Sequence, residues 1–391
     1  MTELSPQIQI GLPMQDIDAQ QWDRLVAGQS PFLSHAFLLA LEDSGSVQAD
    51  TGWQPCHVVA TDKAGDLLAA MPLYIKQHSY GEYVFDWGWA DAYQRYGQRY
   101  YPKLLTAIPF TPSQSPRFLV AESESVQQWL PRIKQAVLQY ADQIEASSWH
   151  VLFPDSHSTE ALAHTDMIRR EACQFHWRNK GYASFDDFLA TFSSRKRKTL
   201  RKERTDVLAQ GIRFQCLEGG EISEEVWDIF YRYYQNTYQI RGQQGYLTRD
   251  FFRRIDKSMP QNLFLVMAMH EDRYVAGALF FKGADSLFGR YWGAEQDYDK
   301  LHFETCYYQG IEYCITHDIS LFDAGAQGEH KLRRGFEPVT TKSYHWIKDP
   351  AFRAAIDDFC QQEKAHVAAY QSAAREQLPF RQSDAVKDSQ V

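Results

Sequence analysis

The sequence predicts an α/β protein built from two tandem copies of one domain. Three observations carry that reading. The chain repeats itself: residues 57–76 slid onto residues 264–282 set Asp66 on Asp272, Leu73 on Leu279 and Lys76 on Lys282. The segments that follow set Trp87-Gly88 on Trp292-Gly293 and Tyr93 on Tyr298. The repeat distance of roughly 200 residues is far beyond the ~20–50 of a solenoid unit. Finally, 391 residues suffice for two separate cores.

The elements follow from periodicity and turn chemistry. Phe37, Leu38 and Leu41 share a helical face behind Ser34 as a cap. Two strands flank the turn Lys63-Ala64-Gly65-Asp66, and residues 83–89 read as a third. Residues 102–116 are Pro-rich and read as loop, since each Pro removes a backbone donor. Trp129, Ile133, Val137 and Tyr140 predict a helix over 124–145, and residues 149–153 a strand. A link through 160–185 leads to one long helix at 186–209, closed by Gly211, and a strand at 212–216 opens the second copy. Helices at 223–239 and 248–258 follow, the second capped by Thr248. Strands are expected at 263–269, 273–281 and 286–293, a helix at 302–317 and a strand at 319–323. A Gly-rich loop at 324–335, a strand at 341–347 and a helix at 351–376 complete the order. The domains are expected at 1–185 and 186–376, with a polar tail over 377–391.

Composition bounds the class. The formal net charge of −9 argues against a surface built throughout for nucleic acid, though a local basic patch is compatible with it. With 22 Tyr, 24 Phe and 10 Trp, aromatic clefts and aromatic cores are both served. The cysteines at 56, 173, 216, 306, 314 and 360 show no CxxC or zinc spacing and read as reduced thiols of a cytoplasmic protein. No basic region followed by an apolar stretch opens the chain, and no apolar run approaches ~18 residues, so no transmembrane anchor is expected.

Four segments could carry chemistry. In residues 325–338 three glycines punctuate Glu329, His330, Lys331, Arg333 and Arg334, after the strand Leu321-Phe322-Asp323. Glycine lets backbone N–H groups approach an anion, and Lys and Arg add charge and forked donors. A solvated turn would rarely mix acid, base and imidazole so densely, and the GxxxxGK[ST] of a P-loop is absent. Second, residues 301–314 place His302, Glu304, Tyr307 and Tyr308 in the first turns of a helix. Glu304 there is a candidate base and a tyrosine a candidate acid. The same residues also make a packing stripe, and His302 and Glu304, two apart, cannot share a metal, so none is expected. Third, residues 195–204 hold seven basic side chains on a helix; Arg197, Lys198 and Arg201 are candidate phosphate contacts, against a merely solvated face. Fourth, Trp87 and Asp91 could line a cleft.

Taken together these segments resemble the FemAB-like family of tandem GNAT-fold proteins. The likeness runs over residues 30–375 and rests on Asp86-Trp87-Gly88-Trp89-Ala90, Tyr100-Tyr101-Pro102-Lys103-Leu104, Pro109-Phe110-Thr111-Pro112 and residues 175–189, 302–313 and 325–338. It implies two GNAT-like domains with mixed, mostly antiparallel sheets joined by the basic helix, and an acyl or aminoacyl transfer to an amine. Two departures stand out. The stretch Ala294 to Lys300 lacks the glycines of a CoA-phosphate turn and carries three acids, and Gln94 to Arg99 matches only half of that turn. Where aminoacyl-tRNA-dependent relatives carry Phe-Lys-x-x-Phe, this chain has Leu332-Arg333-Arg334-Gly335-Phe336. Arginine keeps the charge but does not transfer a proton near neutrality.

The reading is a transferase moving an acyl or aminoacyl group from acyl-CoA or aminoacyl-tRNA to a small-molecule or peptide amine, a charged tRNA being a possible partner. Glu304, Tyr307 or His330 would move the proton, with Lys331 or Arg334 within reach of Glu304. Trp87, Asp91, Tyr291, Trp292, Lys331, Arg333 and Arg334 would hold substrate. The alternative is a non-catalytic binding module for a peptidoglycan precursor, a peptide or a nucleotide-linked ligand.

Overall fold

The computed structural model describes residues 6–326 and 328–381. The chain divides into two compact units. Unit 1 takes residues up to Ala172 and returns for Thr340–Ala368; unit 2 takes Cys173–Val339 and the residues from Ala369 on. The boundary expected at 185/186 therefore falls at 172/173. The supposed link contains the eleven-residue strand Ile168–Arg178, and residues 340–368 do not close the second domain. From residue 382 the expected polar tail lies outside the described residues; before it, Phe380 bridges Phe192 and meets its ring edge-on.

In unit 1 a four-stranded antiparallel sheet is ordered Gln7–Leu12, His57–Thr61, Leu67–Met71, Leu119–Val120. The turn expected at 63–66 is present, with Gly65 at φ +90°. Tyr74–Lys76 pairs antiparallel with Trp53–Pro55 and with Lys103–Thr106. Lys103–Thr106 runs parallel to Ser148–Leu152, which meets residues 343–347 antiparallel. A strand thus occupies part of the Pro-rich stretch. Helix Val126–Gln143 buries Trp129, Ile133 and Val137 on one face, and Ser125 caps it with Gln128 in a reciprocal box. Helix His35–Asp43 starts as expected, Ser34 Oγ accepting from the Phe37 N–H.

The strand expected at 83–89 is instead the start of helix Trp87–Arg95. Its buried residues are Trp89 and Tyr93, four apart, which is helical rather than strand spacing. Trp292 and Gly293 lie within strand Ser286–Ala294, so Trp87 and Trp292 are not equivalent positions. What the repeat keeps is the hairpin: His57–Thr61 with Leu67–Met71, and Leu263–His270 with Arg273–Lys282.

Unit 2 is a six-stranded sheet in the order Arg213–Glu218, Leu263–His270, Arg273–Lys282, Ser286–Ala294, Leu321–Asp323 and residues 176–178. All neighbours are antiparallel except Ser286–Ala294 with Leu321–Asp323. The single helix expected at 186–209 is two, Phe185–Ala190 and Ser194–Ala209. Between them Phe192 is buried and the Ser193 N–H donates to the Pro379 carbonyl. The basic helix thus belongs wholly to unit 2 instead of joining the domains. Helix Glu224–Gln239 crosses the end of strand Ser286–Ala294. A Cβ on Gly293 would lie 2.0 Å from the Tyr233 backbone, so only glycine admits the crossing. The helix expected at 302–317 is interrupted: Glu304–Tyr308 is a π-turn between Leu301–Phe303 and Gln309–Thr316.

Candidate active site

The site is a wedge in unit 2. The parallel pairing of Ser286–Ala294 with Leu321–Asp323 stops at Phe288 opposite Asp323, and the first strand runs on alone. Its register with Arg273–Lys282 slips there: Leu279 faces Tyr291 and Phe280 faces Gly289, which makes Arg290 the extra residue of a β-bulge. A cavity of about 130 Å³ opens in the wedge, lined among others by Arg290, Tyr291, Trp292, His302, Cys306 and Tyr307. Arg290 Nη2 donates to Asp323 Oδ2 at 2.7 Å, both side chains being buried. Burial works against a charged Asp323. The Arg290 guanidinium, His176 and the Gly325 N–H outweigh it and hold the carboxyl well below the usual carboxylate range.

The π-turn fills the other wall. Tyr307 Oη lies 2.8 Å from His330 Nε2. Burial pushes the Tyr307 phenol upward, so it stays protonated. Burial, then Arg334 and Lys331, lower His330, which is a neutral imidazole at neutral pH. His302 meets the rings of Trp292 and Tyr307 edge-on at 5.2 and 5.4 Å. Burial, with His330, Arg334 and Lys331, lowers His302 to about 4. The wedge thus holds a phenol and two neutral imidazoles, a set that can pass protons without carrying charge.

Glu304 is not part of that set. Arg204 takes both its oxygens, Nε at 3.1 and 3.0 Å and Nη2 at 2.8 Å, and Gln309 Nε2 donates to Oε1 at 2.8 Å. Neither Lys331 nor Arg334 is its printed partner. Lys331 Nζ donates to the Gly325 carbonyl at 2.6 Å, and Arg334 Nη2 donates to Glu203 at 2.8 Å with its guanidinium 3.4 Å over Phe303. The expectation failed because Arg204, from the basic helix, is the cation that reaches the carboxylate. Lys331 and Arg334 are buried and fold the 325–338 segment on itself; Arg333 is exposed. Lys331 is lowered to about 8 by burial, against the pull of Asp323.

Of the remaining candidates, Tyr291 and Trp292 line the wedge. Trp87 and Asp91 belong to unit 1, on the exposed side of helix Trp87–Arg95, with Trp87 edge-on to Tyr80 at 4.8 Å. On the basic helix Leu200 and Val207 are buried, whereas Leu208, expected on the same stripe, is exposed. Arg201 pairs with Asp186 at 2.8 Å, and Lys198 is exposed while Arg197 is half-buried. Sequence reasoning missed Arg290, Asp323 and Arg204, whose roles depend on a bulge and on partners distant in the chain. It noticed His302 only to dismiss it as a metal ligand. Among the described residues no group of three His, Cys, Asp or Glu is placed to hold a metal, and no helix is long and apolar enough to cross a membrane.

The strand edge beyond the wedge is already used. The carbonyls of Trp292 and Ala294 accept from Thr237 Oγ1 at 2.8 Å and Asn236 Nδ2 at 3.3 Å.

Residues 13–382 match the family described as FemAB-like, peptidoglycan biosynthesis/recognition. The chain is a FemAB-like protein. None of the curated proteins matches it. Its structure is similar to that of FemX, with 12% identity, TM-score 0.53, and 87% of this chain and 98% of that one covered. It is also similar to the C-terminal domain of a protein named as a lysylphosphatidylglycerol synthetase from Agrobacterium fabrum, with 9% identity, TM-score 0.52, and 86% and 93% covered. A tandem GNAT protein from the clavulanic acid biosynthesis pathway matches as well, with 10% identity, TM-score 0.47, and 88% and 99% covered. The FemAB-like chain has the expected fold class, a tandem GNAT-like α/β protein with mixed, mostly antiparallel sheets.

Proposed function

We propose that this FemAB-like protein transfers an acyl or aminoacyl group to an amine in peptidoglycan metabolism, and that the transfer takes place in the wedge of unit 2. The observation that carries the site is the Tyr307–His330 contact at its wall. The acceptor nitrogen attacks the acyl carbon as the bond from that carbon to the donor's oxygen or sulfur breaks. Tyr307 gives its proton to the leaving group. His330 takes the amine's proton at Nδ1 and returns one to the phenolate through Nε2. Two neutral groups so arranged need no charge to be buried at any step.

A cavity of about 130 Å³ is close to the ~150 Å³ that holds a benzene ring, which supports an acetyl or small aminoacyl group over a long chain. The occupied carbonyls of Trp292 and Ala294 count against a pantetheine arm laid along that edge and favour aminoacyl-tRNA over acyl-CoA. Arg197 and Lys198 would then meet its phosphates. The second reading, a non-catalytic binding module for a peptidoglycan precursor, peptide or nucleotide-linked ligand, has one observation in its favour: the carboxylate nearest the wedge helix is spent on Arg204. The test is a transfer assay on a peptidoglycan-precursor amine with acetyl-CoA in one arm and a charged tRNA mixture in the other. Product with charged tRNA alone is expected; binding of the precursor with no product from either donor would establish the binding module.

A further inference from the structure

Unit 1 buries a second cluster of charges, and its two lysines are not equivalent. Lys103 Nζ donates to Ser79 Oγ and Glu82 Oε2, each at 2.8 Å, and to Asp86 Oδ2. An ammonium has three N–H groups, and all three are used. Lys76, equally buried, has two acceptors: the Tyr80 carbonyl at 3.2 Å and His78 Nδ1 at 3.4 Å. His78 Nε2 faces the Thr51 carbonyl at 2.9 Å, which puts the ring proton on Nε2 and leaves Nδ1 to accept. Glu82 Oε1, at 3.9 Å from Lys76 Nζ, is beyond hydrogen-bond reach. Two acceptors suit a neutral amine; an ammonium would bury a third N–H unmet.

The electrostatics agree with the count. Burial lowers Lys76 to about 6, Glu82 opposing the shift and Lys103 adding to it. Burial pushes Glu82 up to about 7 against the pull of Lys103. Asp86 also attracts the cation, as does the Trp53 ring 3.6 Å from Nζ, and both are outweighed. A free amine next to an ammonium, with a carboxylic acid beside it, is an activated nucleophile with its proton donor.

We propose that Lys76 is the nucleophile of a second reaction centre, in unit 1, that condenses with small aldehydes. The amine nitrogen adds to the carbonyl carbon. The oxygen leaves as water, taking one proton from the nitrogen and one from Glu82. The product is a protonated imine paired with the Glu82 carboxylate. Full burial of the amine restricts the partner to a small one. An acid at the amine favours a carbonyl compound over an ester, because dehydration of the carbinolamine is the step that uses an acid.

The probe is ¹³C-formaldehyde with cyanoborohydride on the intact protein, with each lysine followed by mass spectrometry from pH 6 to 10. An exposed lysine such as Lys198 is almost wholly protonated at pH 7. Lys76 is therefore expected to be modified at least about tenfold faster than Lys198 at pH 7, burial taking back much of a roughly thousand-fold advantage in free amine. The preference should shrink as pH rises. Glu82→Gln should slow Lys76 at least about fivefold and leave Lys198 unchanged, circular dichroism reporting whether the variant is folded. The wild-type pH profile needs no variant. A Lys76 that stays unmodified at pH 7 in the folded protein, or whose rate climbs with pH alongside Lys198, overturns the proposal.

Discussion

Arg204 holds both carboxylate oxygens of Glu304, and the same guanidinium reaches Glu312 at 2.7 Å. Glu304 is thereby a structural anion that fixes the basic helix to the π-turn. Removing one partner of a buried pair costs about 3–5 kcal/mol. Gln keeps one acceptor and Arg204 keeps Glu312, so Glu304→Gln is expected near the lower end, about 3 kcal/mol, by urea unfolding. Turnover per folded molecule should stay within about threefold, as for a residue that does not move the proton. An unchanged unfolding midpoint with a hundredfold loss of turnover would restore Glu304 as the base.

Tyr307→Phe and His330→Gln should each lower kcat by about 10²–10⁴-fold, the range of a general acid–base group. The double variant should be little worse than the poorer single one, because the two act as one relay. Steady-state rates on folded protein decide this; independent, multiplying losses would separate the pair.

His302 carries a pH dependence whose sign is fixed. Its folded value, about 4, lies below the ordinary 6.5, chiefly through burial. Below pH 6.5 the unfolded chain binds the proton and the folded one does not, so stability is full above about 6.5 and falls as the pH drops toward 4. The slope is at most about 1.4 kcal/mol per pH unit. Unfolding free energies at pH 7 and pH 4 for wild type and His302→Gln should differ in that slope, the variant being flatter. Parallel curves would mean that His302 titrates as it does in water.

The basic helix gives a salt-dependence test. If Arg197 and Lys198 meet nucleic-acid phosphates, reversing both to Glu should weaken tRNA binding and reduce the slope of log K against log salt. The reduction should be about 0.7–0.9 per lost contact. Arg201, already paired with Asp186, should matter less. An unchanged slope returns this face to solvent.

The sequence made the hairpins, caps and most helices legible because their signals are local. Ser34 and Thr248 cap the helices they precede, and alternating apolar residues mark the strands around Gly65 and Glu271. Trp87 misled because a short motif was read through its match at 292, while the deciding pair, Trp89 and Tyr93, was read as strand. Tyr307 and His330 were picked out from the chemistry of their segments, and the structure sets them in contact. Arg204 was hidden inside a run of seven basic residues, where nothing distinguishes the cation that turns inward. Arg290 was hidden by its bulge, since period-two reasoning does not foresee an inserted residue.

A π-turn is an α-helix carrying one residue more than its hydrogen-bonding needs. The turn at Glu304–Tyr308 therefore makes the site sensitive to length as well as to composition. Deleting a single residue there would let the helix close regularly, and everything on one side would rotate about 100° relative to the other. Tyr307, which meets His330, and Tyr308, which meets Glu203, could not both keep their partners. In this segment a one-residue deletion would take apart two contacts that conservative substitutions leave standing.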